Sequence, residues 1–517
     1  MVRRSFSLVI VSGILAAAAA NAAGAVPATP APSKLPFAIS KETTIITAPL
    51  RPDGRPDYVA ALNEKYGKGV TPGNNALAQF LQIRGTALLD NDSRDKILQL
   101  AGIKPPAADT PLFEDVMQYA NRGGTTLTGD ALSARKNMLL EKWPPVDEDG
   151  ELAKYLHSQD KFLDLAVEAS RQPHLFVPYV SKDGSFFNVT IARYTGLAEF
   201  GRTLSARALL RVGNGNLEGA LSDGLAMKRL ARLLPQEGMI ISDLLGLVLD
   251  DLANTTLGTI VAAGKLTEAQ CDELAKGLDI PPVMSITESL DTFERWRFLD
   301  ELGIIATGHT DDFAGQNLND QTSAMILSIQ PALVDWNLAL TLFNAQRDRE
   351  IVLLKNTPID QMDRQAGSFA AEQDKWKQEL INHHGTLEKD PGESQADYTQ
   401  RVLHGIMSGG SMPMLAPRAA RELEIALRDA MLNILVSAAK SKARTGDWPA
   451  SLDALVPASI KEIPIDFYST DRKSPVSYRN IAGHVRIYSV GPDHVRFTDD
   501  DLFVGDPNKP TPEPGLP

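Results

Sequence analysis

Apolar positions along most of the chain recur with the 3.6-residue period of a helix, and only one late stretch changes to a period of two. Leu77, Phe80, Leu81 and Leu88 share one face of a segment that Asn74 is expected to cap and that should run to about residue 89. A shorter helix is expected over 57–63. From about residue 148, Leu152, Leu156, Phe162, Leu163 and the run Leu165 to Val167 form a strong stripe that stops before Pro173. Long helices follow over 192–212, 217–234 and 239–263, separated by Gly213-Asn214-Gly215-Asn216 and by Pro235. Short turns between periodic helices imply antiparallel neighbours. The small residues Ala206, Ala208, Gly219, Ala220 and Gly224 imply that these helices approach closely. The packing expected is that of helical hairpins, with no fixed repeat period.

Further helices are expected over 267–278, 287–302, 331–354, 359–381 and 417–442. The last carries Leu423, Leu427, Met431, Ile434 and Ala438 on one face. Residues 383–397 read as a polar loop. After Trp448 the texture changes, and segments 475–478 and 485–490 alternate like two strands. The fold class is therefore mainly α: an antiparallel helical-hairpin body followed by a small α+β module.

The N-terminus changes the picture of where such a body folds. Arg3 and Arg4 precede an uncharged apolar run over residues 8–20, and Ala20-Asn21-Ala22 supplies small residues for cleavage. That order is a signal peptide. The run is shorter than the ~18–20 residues a membrane-spanning helix needs. No later stretch is expected to be long and apolar enough to cross a bilayer, so the protein should be exported to the periplasm or outside the cell. Among 517 residues the net charge is −13, and loss of the leader removes two arginines, leaving the rest more acidic still. An acidic chain lacks the positive footprint that nucleic acid requires. A single cysteine, Cys271, excludes an intramolecular disulfide, so stability rests on packing and charge.

The last 75 or so residues resemble the C-terminal part of the major pseudopilin of type II secretion. The resemblance rests on an ordered set: a helix, Asp447-Trp448-Pro449, Leu452, Leu455-Val456-Pro457, Ile463-Pro464-Ile465-Asp466, Tyr478-Arg479-Asn480, Ile487-Tyr488-Ser489-Val490-Gly491-Pro492-Asp493, and the acidic run Asp499-Asp500-Asp501. It implies a calcium site in that acidic loop, with Asp493, Asp499, Asp500 and Asp501 as ligands. Calcium takes 6–8 oxygens, and here the loop is shorter than in the family and carries Arg496. The preceding helix also departs from the family: Arg418, Arg421, Glu422, Glu424, Arg428 and Asp429 would be penalised in a bilayer, which argues against a filament subunit. The rest of the chain is similar to a family of exported bacterial proteins with the same tail, through Pro49 to Gly54, Asp57 to Asn63, Gly69 to Pro72, Asn74 to Ala76 and the 206–232 hairpin. No activity follows from that similarity. The expected organisation is a signal peptide (1–22), a Pro/Ala linker (23–45), an N-terminal helical region (46–147), a helical body (148–410), the pseudopilin-like module (411–504) and a Pro-rich tail (505–517).

Candidate chemistry is sparse. Asp57, Tyr58, Asn63, Asn74 and Asn75 surround one Gly/Pro-bounded loop and could form a small binding notch, although caps and local backbone bonds account for the same residues. Gly213-x-Gly215-x-x-x-Gly219 follows a helix instead of a strand and lacks the Lys-Ser/Thr pair of a phosphate loop. His383, His384, Glu388, Asp390 and His404 match no zinc spacing. Ser408 and Ser411 miss the Gly-x-Ser-x-Gly spacing of a nucleophile elbow. Asp250 and Asp251 diverge by about 100° on a helix, so at least one is expected to face solvent. Asp223 reads as a helix-surface or inter-helix hydrogen-bonding group, and Trp296, Trp336 and Trp376 as core. The expectation is an exported structural or interaction (scaffold) protein of the cell envelope with an envelope protein as partner; the alternative is a hydrolase with its site in a groove of the helical body.

Overall fold

The computed structural model describes residues 34–142, 147, 150–189, 197–309, 320–408, 415–496, 498 and 500–508. The leader (1–22), the first part of the linker, Ser411, Asp499 and the tail from 509 lie outside the described residues. The helices in chain order are α1 (Tyr58–Tyr66), α2 (Leu77–Arg84), α3 (Arg94–Ala101), α4 (Val116–Asn121), α5 (Gly129–Glu141), α6 (Glu151–Ser158), α7 (Asp160–Ala169), α8 (Leu197–Gly213), α9 (Leu217–Leu233), α10 (Ile240–Ala262), α11 (Glu268–Leu278), α12 (Ile286–Ser289), α13 (Arg295–Ala306), α14 (Asp320–Leu327), α15 (Trp336–Asn356), α16 (Ile359–Asn382), α17 (Gln395–Ser408) and α18 (Leu415–Thr445). Three strands follow: β1 (Ser477–Ile481), β2 (His484–Ser489) and β3 (Leu502–Gly505). The protein is mainly helical with one small antiparallel sheet near the C-terminus. The chain divides into two compact units, one of residues 1–56, 301–344 and 372–410, the other of 57–300, 345–371 and 411–517.

Local sequence explains many helix boundaries. Asp57 accepts from Ala60 N at the start of α1, and Asn216 accepts from Gly219 N at the start of α9. Reciprocal capping boxes start α4 (Asp115 with Gln118) and α11 (Thr267 with Gln270). The expected α8–α9 turn is present, with Gly215 at a φ of 79° that side-chain-bearing residues seldom adopt. Asn74 does not cap a helix. Its Oδ1 takes Thr71 N at 2.6 Å and closes the preceding loop, while Asn75 Oδ1 accepts from Leu77 N at the start of α2. The α-helix stops at Arg84, where Gly85 takes a φ of 67°, and a 3-10 turn over Gly85–Leu88 carries the helical path on to about the expected end.

The larger unit is organised around α10, which packs on α8, α9 and α18 and, near its C-terminal end, on β3. Close approach depends on absent side chains. A Cβ on Gly224 of α9 would run into Leu257 of α10, and one on Gly258 of α10 would meet Val504 Cγ1 at 2.6 Å and Gly505 N at 2.9 Å. The sheet order is β1-β2-β3, all antiparallel, and Tyr478 pairs with Ile487 as the alternation predicts. Ala482 (φ 51°) and Gly483 (φ 90°) form the tight turn between β1 and β2. Val485, Ile487, Leu502 and Val504 point into the same apolar cluster as Leu209, Leu257, Ile260, Met431 and Leu435. The sheet therefore shares a continuous core with the helices. A second cluster joins α2, α7, α9 and the start of α10 through Leu77, Phe80, Leu163, Met227 and Leu249.

The smaller unit holds its N-terminal arm by specific bonds. Phe37, Thr43 and Thr44, within the stretch expected as linker, are buried. Ala38 N donates to Asn337 Oδ1 at 2.8 Å, and Asn344 Nδ2 donates to the carbonyls of Glu42 and Thr43 at 2.9 Å. Tyr398, on α17, accepts from Gln330 N and donates to Leu387 O.

Several expectations need correction. Residues 395–397, polar enough to suggest a loop, begin helix α17, and β3 adds a third strand to the two that the alternation predicts. Leu423 is 39 % exposed, so the buried stripe of α18 begins at Leu427 and continues through Met431, Ile434 and Ala438. A later helix is long and apolar enough to cross a bilayer: α10 has 23 residues and a mean hydropathy of 1.3 in its most apolar window, although 67 % of that window is buried inside the protein. Replacing Gly258 by Val should drive α10 away from β3. Urea denaturation is expected to report a loss of roughly 1–3 kcal/mol, whereas the same change at exposed Gly73, with open space beside it, should leave the transition much closer to wild type.

Candidate functional site

The densest collection of ionisable groups lies inside the helical body, on α7, α8, α9, α10 and α18. Arg207 on α8 is 3 % exposed and reaches Asp223 on α9 with both Nε (3.0 Å) and Nη2 (2.7 Å), while its Nη1 meets Asp164 (2.8 Å) and Asp160 (3.1 Å) on α7. Arg211 adds a second cation to Asp223 at 2.8 Å. Asp223 is thus an inter-helix group. Burial pushes its carboxyl pKa upward, against the pull of the two arginines.

One helical turn and more further along α9, Lys228 and Arg232 face Asp250 and Asn254 of α10 and Asp429 of α18. Lys228 Nζ is 3.0 Å from Asp250 and also bonds Asp429; Arg232 bonds Asp250 and lies 3.1 Å from Asp429; Asn254 Nδ2 donates to Asp429 at 2.7 Å. Asp250 is fully buried, and burial raises its pKa. For Asp429 burial is again the largest single influence, but Lys228, Asn254 and Arg232 together hold the carboxyl below its ordinary value. Asp250 Oδ2 and Asn254 Oδ1 accept no hydrogen bond among the described residues.

The neighbouring Asp251 turns to a different set. Arg421 Nη2 donates to it at 2.6 Å, Arg428 Nη1 lies 3.0 Å away, and Arg421 also bonds Glu424, which accepts from Tyr468 Oη. Of the adjacent aspartates, Asp250 is fully buried while Asp251 keeps 23 % of its side chain exposed, and both are paired, because α9 and α18 cover α10 on two sides. Chemically, these clusters tie helices together. Each of these carboxylates meets a fixed cation.

The other predicted groups sit apart. Asp57 caps α1, and Tyr58 is buried against Trp296 with ring centroids 6.0 Å apart. Asn63 exchanges two bonds with the backbone of Tyr179, and Asn75 two with Phe176, so both amides dock the extended segment 174–180. Asn74 only closes its own loop. In the tail, Asp493, Asp500 and Asp501 share one turn. Asp500 accepts from Asp493 N (2.8 Å) and from the Thr498 hydroxyl (2.6 Å), and that hydroxyl also reaches Asp501 (3.3 Å). A cation in this turn would compete with those donors. Among the described residues no three His, Cys, Asp or Glu side chains converge as a metal-binding set. Asp466, in the stretch Ile463-Pro464-Ile465-Asp466, is buried and pins the end of β2 by accepting from Ser489 Oγ and Val490 N.

His383 and His404 come together, which the spacing did not suggest. They line one tight indentation in the smaller unit, too narrow to admit a water molecule, with Trp376, Glu379, Arg401 and Gly405. Trp376 stacks on His404 at 4.5 Å and 16°, and is thus not the core residue expected. Glu379 lies 3.7 Å from His404 Nδ1, and Asp390 lies 3.4 Å from His383 Nδ1. Burial lowers the His404 pKa against the opposing pull of Glu379. Trp296 and Trp336 are buried as expected. Compared with models of known protein families, with curated proteins and with solved structures, the chain matches none.

Two outcomes follow from the buried charges. Lys228→Met removes the shared cation of Asp250 and Asp429 and is expected to cost roughly 3 kcal/mol in chemical denaturation, while Lys440→Met, which breaks only surface contacts with Asp272 and Glu268, should barely move the curve. Cys271 is fully buried, and burial pushes its thiol up to about 11; a thiol reagent at neutral pH should label it only after denaturant unfolds the protein.

Proposed function

We propose that this is an exported, non-catalytic scaffold of the bacterial cell envelope, whose helical body holds a C-terminal pseudopilin-like module in place for a protein partner. The observation that carries the reading is the use made of the ionisable groups. Asp223, Asp250, Asp251 and Asp429 are each committed to cations on neighbouring helices. A catalytic carboxylate needs a substrate-sized space beside it; these have rigid partners instead. The arrangement supports a body built for shape. Export is supported by Arg3, Arg4, the apolar run and the Ala20-Asn21-Ala22 site. Placement of Asp493, Asp500 and Asp501 on one turn supports a calcium role for the module, while the internal donors to Asp500 weigh against it.

The hydrolase alternative draws on one observation, the His404–Glu379 contact beside His383. A carboxylate that orients an imidazole is a common element of general-base sites. Asp250 and Asp251 lie in the other unit.

Crosslinking in envelope preparations followed by purification of the full chain should recover one stable protein partner, and that partner should be lost when the exposed module residues Ile465 and Val495 are both replaced by Asp. Recovery of no partner together with ester hydrolysis abolished by His404→Gln would replace the scaffold reading with the enzymatic one. Millimolar calcium is expected to raise the melting temperature if the tail turn takes the ion, and Asp500→Asn should cancel the rise; an unchanged melting temperature removes calcium from the account.

A further inference from the structure

A groove of about 460 Å³ runs along α9 beside α11 and ends at Arg171, just beyond α7. The two helices point the same way, since Gly277 lies against Leu225 and, further along both, the Pro281 carbonyl accepts from Arg232 Nε. Glu218, Gln270 and Glu273 therefore fall at one end of the groove, Ser222 near its middle, and Arg229 with Arg171 at the other end. At 1.5 Å per residue, Arg229 is roughly 16 Å along α9 from Glu218 and roughly 10 Å from Ser222, the level of Glu273.

These polar groups differ from those of the surrounding helices. Arg207, Arg232 and Arg428 each face a carboxylate. In the groove, among the described residues, Arg171 and Arg229 have no carboxylate partner, Glu218 and Glu273 have no cation, and the Ser222 hydroxyl has no hydrogen bond. Arg229 Nε reaches only the Ser170 hydroxyl, at 3.2 Å. Gln270 spends its Oε1 on Thr267 N at 3.0 Å, which leaves its Nε2 donor unengaged. Burial, and next the charge of Arg171, hold the Arg229 guanidinium below its ordinary pKa. One end of the groove thus carries two like cations, one of them half-buried, and the other end two carboxylates. Two guanidinium forks suit a carboxylate that bridges them, and two carboxylates suit an ammonium. A simple anion would leave the acidic end unmatched and be repelled by it, and a polycation would be repelled by the arginines.

We propose that this groove binds a short zwitterionic peptide, with its terminal carboxylate between Arg171 and Arg229, its ammonium at Glu273 and Glu218, and its amide groups served by Ser222 and Gln270. Extended chain spans about 3.3–3.6 Å per residue, so about three residues match the separation of the charged ends. The inference is independent of the scaffold reading, since it concerns a different surface and a small ligand.

Isothermal titration of the full chain with trialanine tests it. Saturable binding at one site is expected, with a Kd of about 1 mM or below. Acetylated trialanine lacks the ammonium and trialanine amide lacks the carboxylate, and each should bind at least about tenfold more weakly. Arg229→Gln should weaken trialanine by about tenfold but leave the amide unchanged. Glu273 and Arg171 are exposed, so their replacement by Gln spares the fold. Glu273→Gln should weaken trialanine while leaving the acetylated peptide unchanged, and Arg171→Gln should follow Arg229→Gln. Absence of saturable binding, or equal binding of trialanine and its acetylated form, overturns the proposal. So does equally tight binding of 8-aminooctanoate, which has both charged ends but no amide groups for Ser222 and Gln270.

Discussion

Two adjacent aspartates in the middle of the most buried helix set the terms for the larger unit. Asp250 and Asp251 lie on α10, and a carboxylate removed from water is tolerated only beside a cation or enough hydrogen-bond donors. Because neighbouring helical positions diverge by about 100°, one cation cannot serve both. Asp250 therefore requires α9, which brings Lys228 and Arg232, and Asp251 requires α18, which brings Arg421 and Arg428. Asp429 then closes the triangle from α18 back to α9. The apolar contacts of α10 make burial favourable, but they are compatible with many rotations of a helix. The charge pairs are compatible with one.

That constraint extends to the sheet. Once α18 is fixed on α10, the segment that follows it must return across the same surface, and β3 settles on α10 where Gly258 leaves room. The C-terminal module thus has no core of its own among the described residues; Val485, Ile487, Leu502 and Val504 complete one begun by the helices. Glu424 joins the two systems, since it bonds Arg421 on one side and Tyr468 of the module on the other. Electrostatic and apolar contacts consequently specify the same placement, which is the consistency expected of a sequence that folds to one state.

How much of this can be read from the residues depends on the distance over which each signal acts. The α8–α9–α10 hairpins are legible because turn glycines, Pro235 and the helical period all act within a few residues. The β1–β2 hairpin is legible for the same reason. Helix α17 could have been found, since Ser394 takes Asp397 N into a cap after a polar loop; the polarity of 383–394 concealed it. Strand β3 has only four residues, too few to display a period. The ionic partners are a different case. Lys228 and Asp429 are 201 positions apart, and nothing in a single sequence relates them. Asp250-Asp251 was visible as an oddity, but whether it meant chemistry or architecture depended entirely on what crossed it.

The pairing of His383 with His404 illustrates the converse. Here residues dismissed on spacing are joined by the α16–α17 antiparallel turn, which carries Trp376 and Glu379 to one side of His404 and Asp390 to His383. The imidazole of His404 is held between an aromatic face and a carboxylate, a setting in which protonation would strengthen both contacts. Its burial pulls the other way and dominates. The same balance governs Asp250 and Asp223 in the larger unit, where burial raises a carboxyl against the attraction of its cations. In each unit, then, ionisable groups sit where desolvation and pairing oppose one another. Such groups contribute little net stability but fix geometry sharply, because leaving either partner alone in the interior is far worse than keeping both.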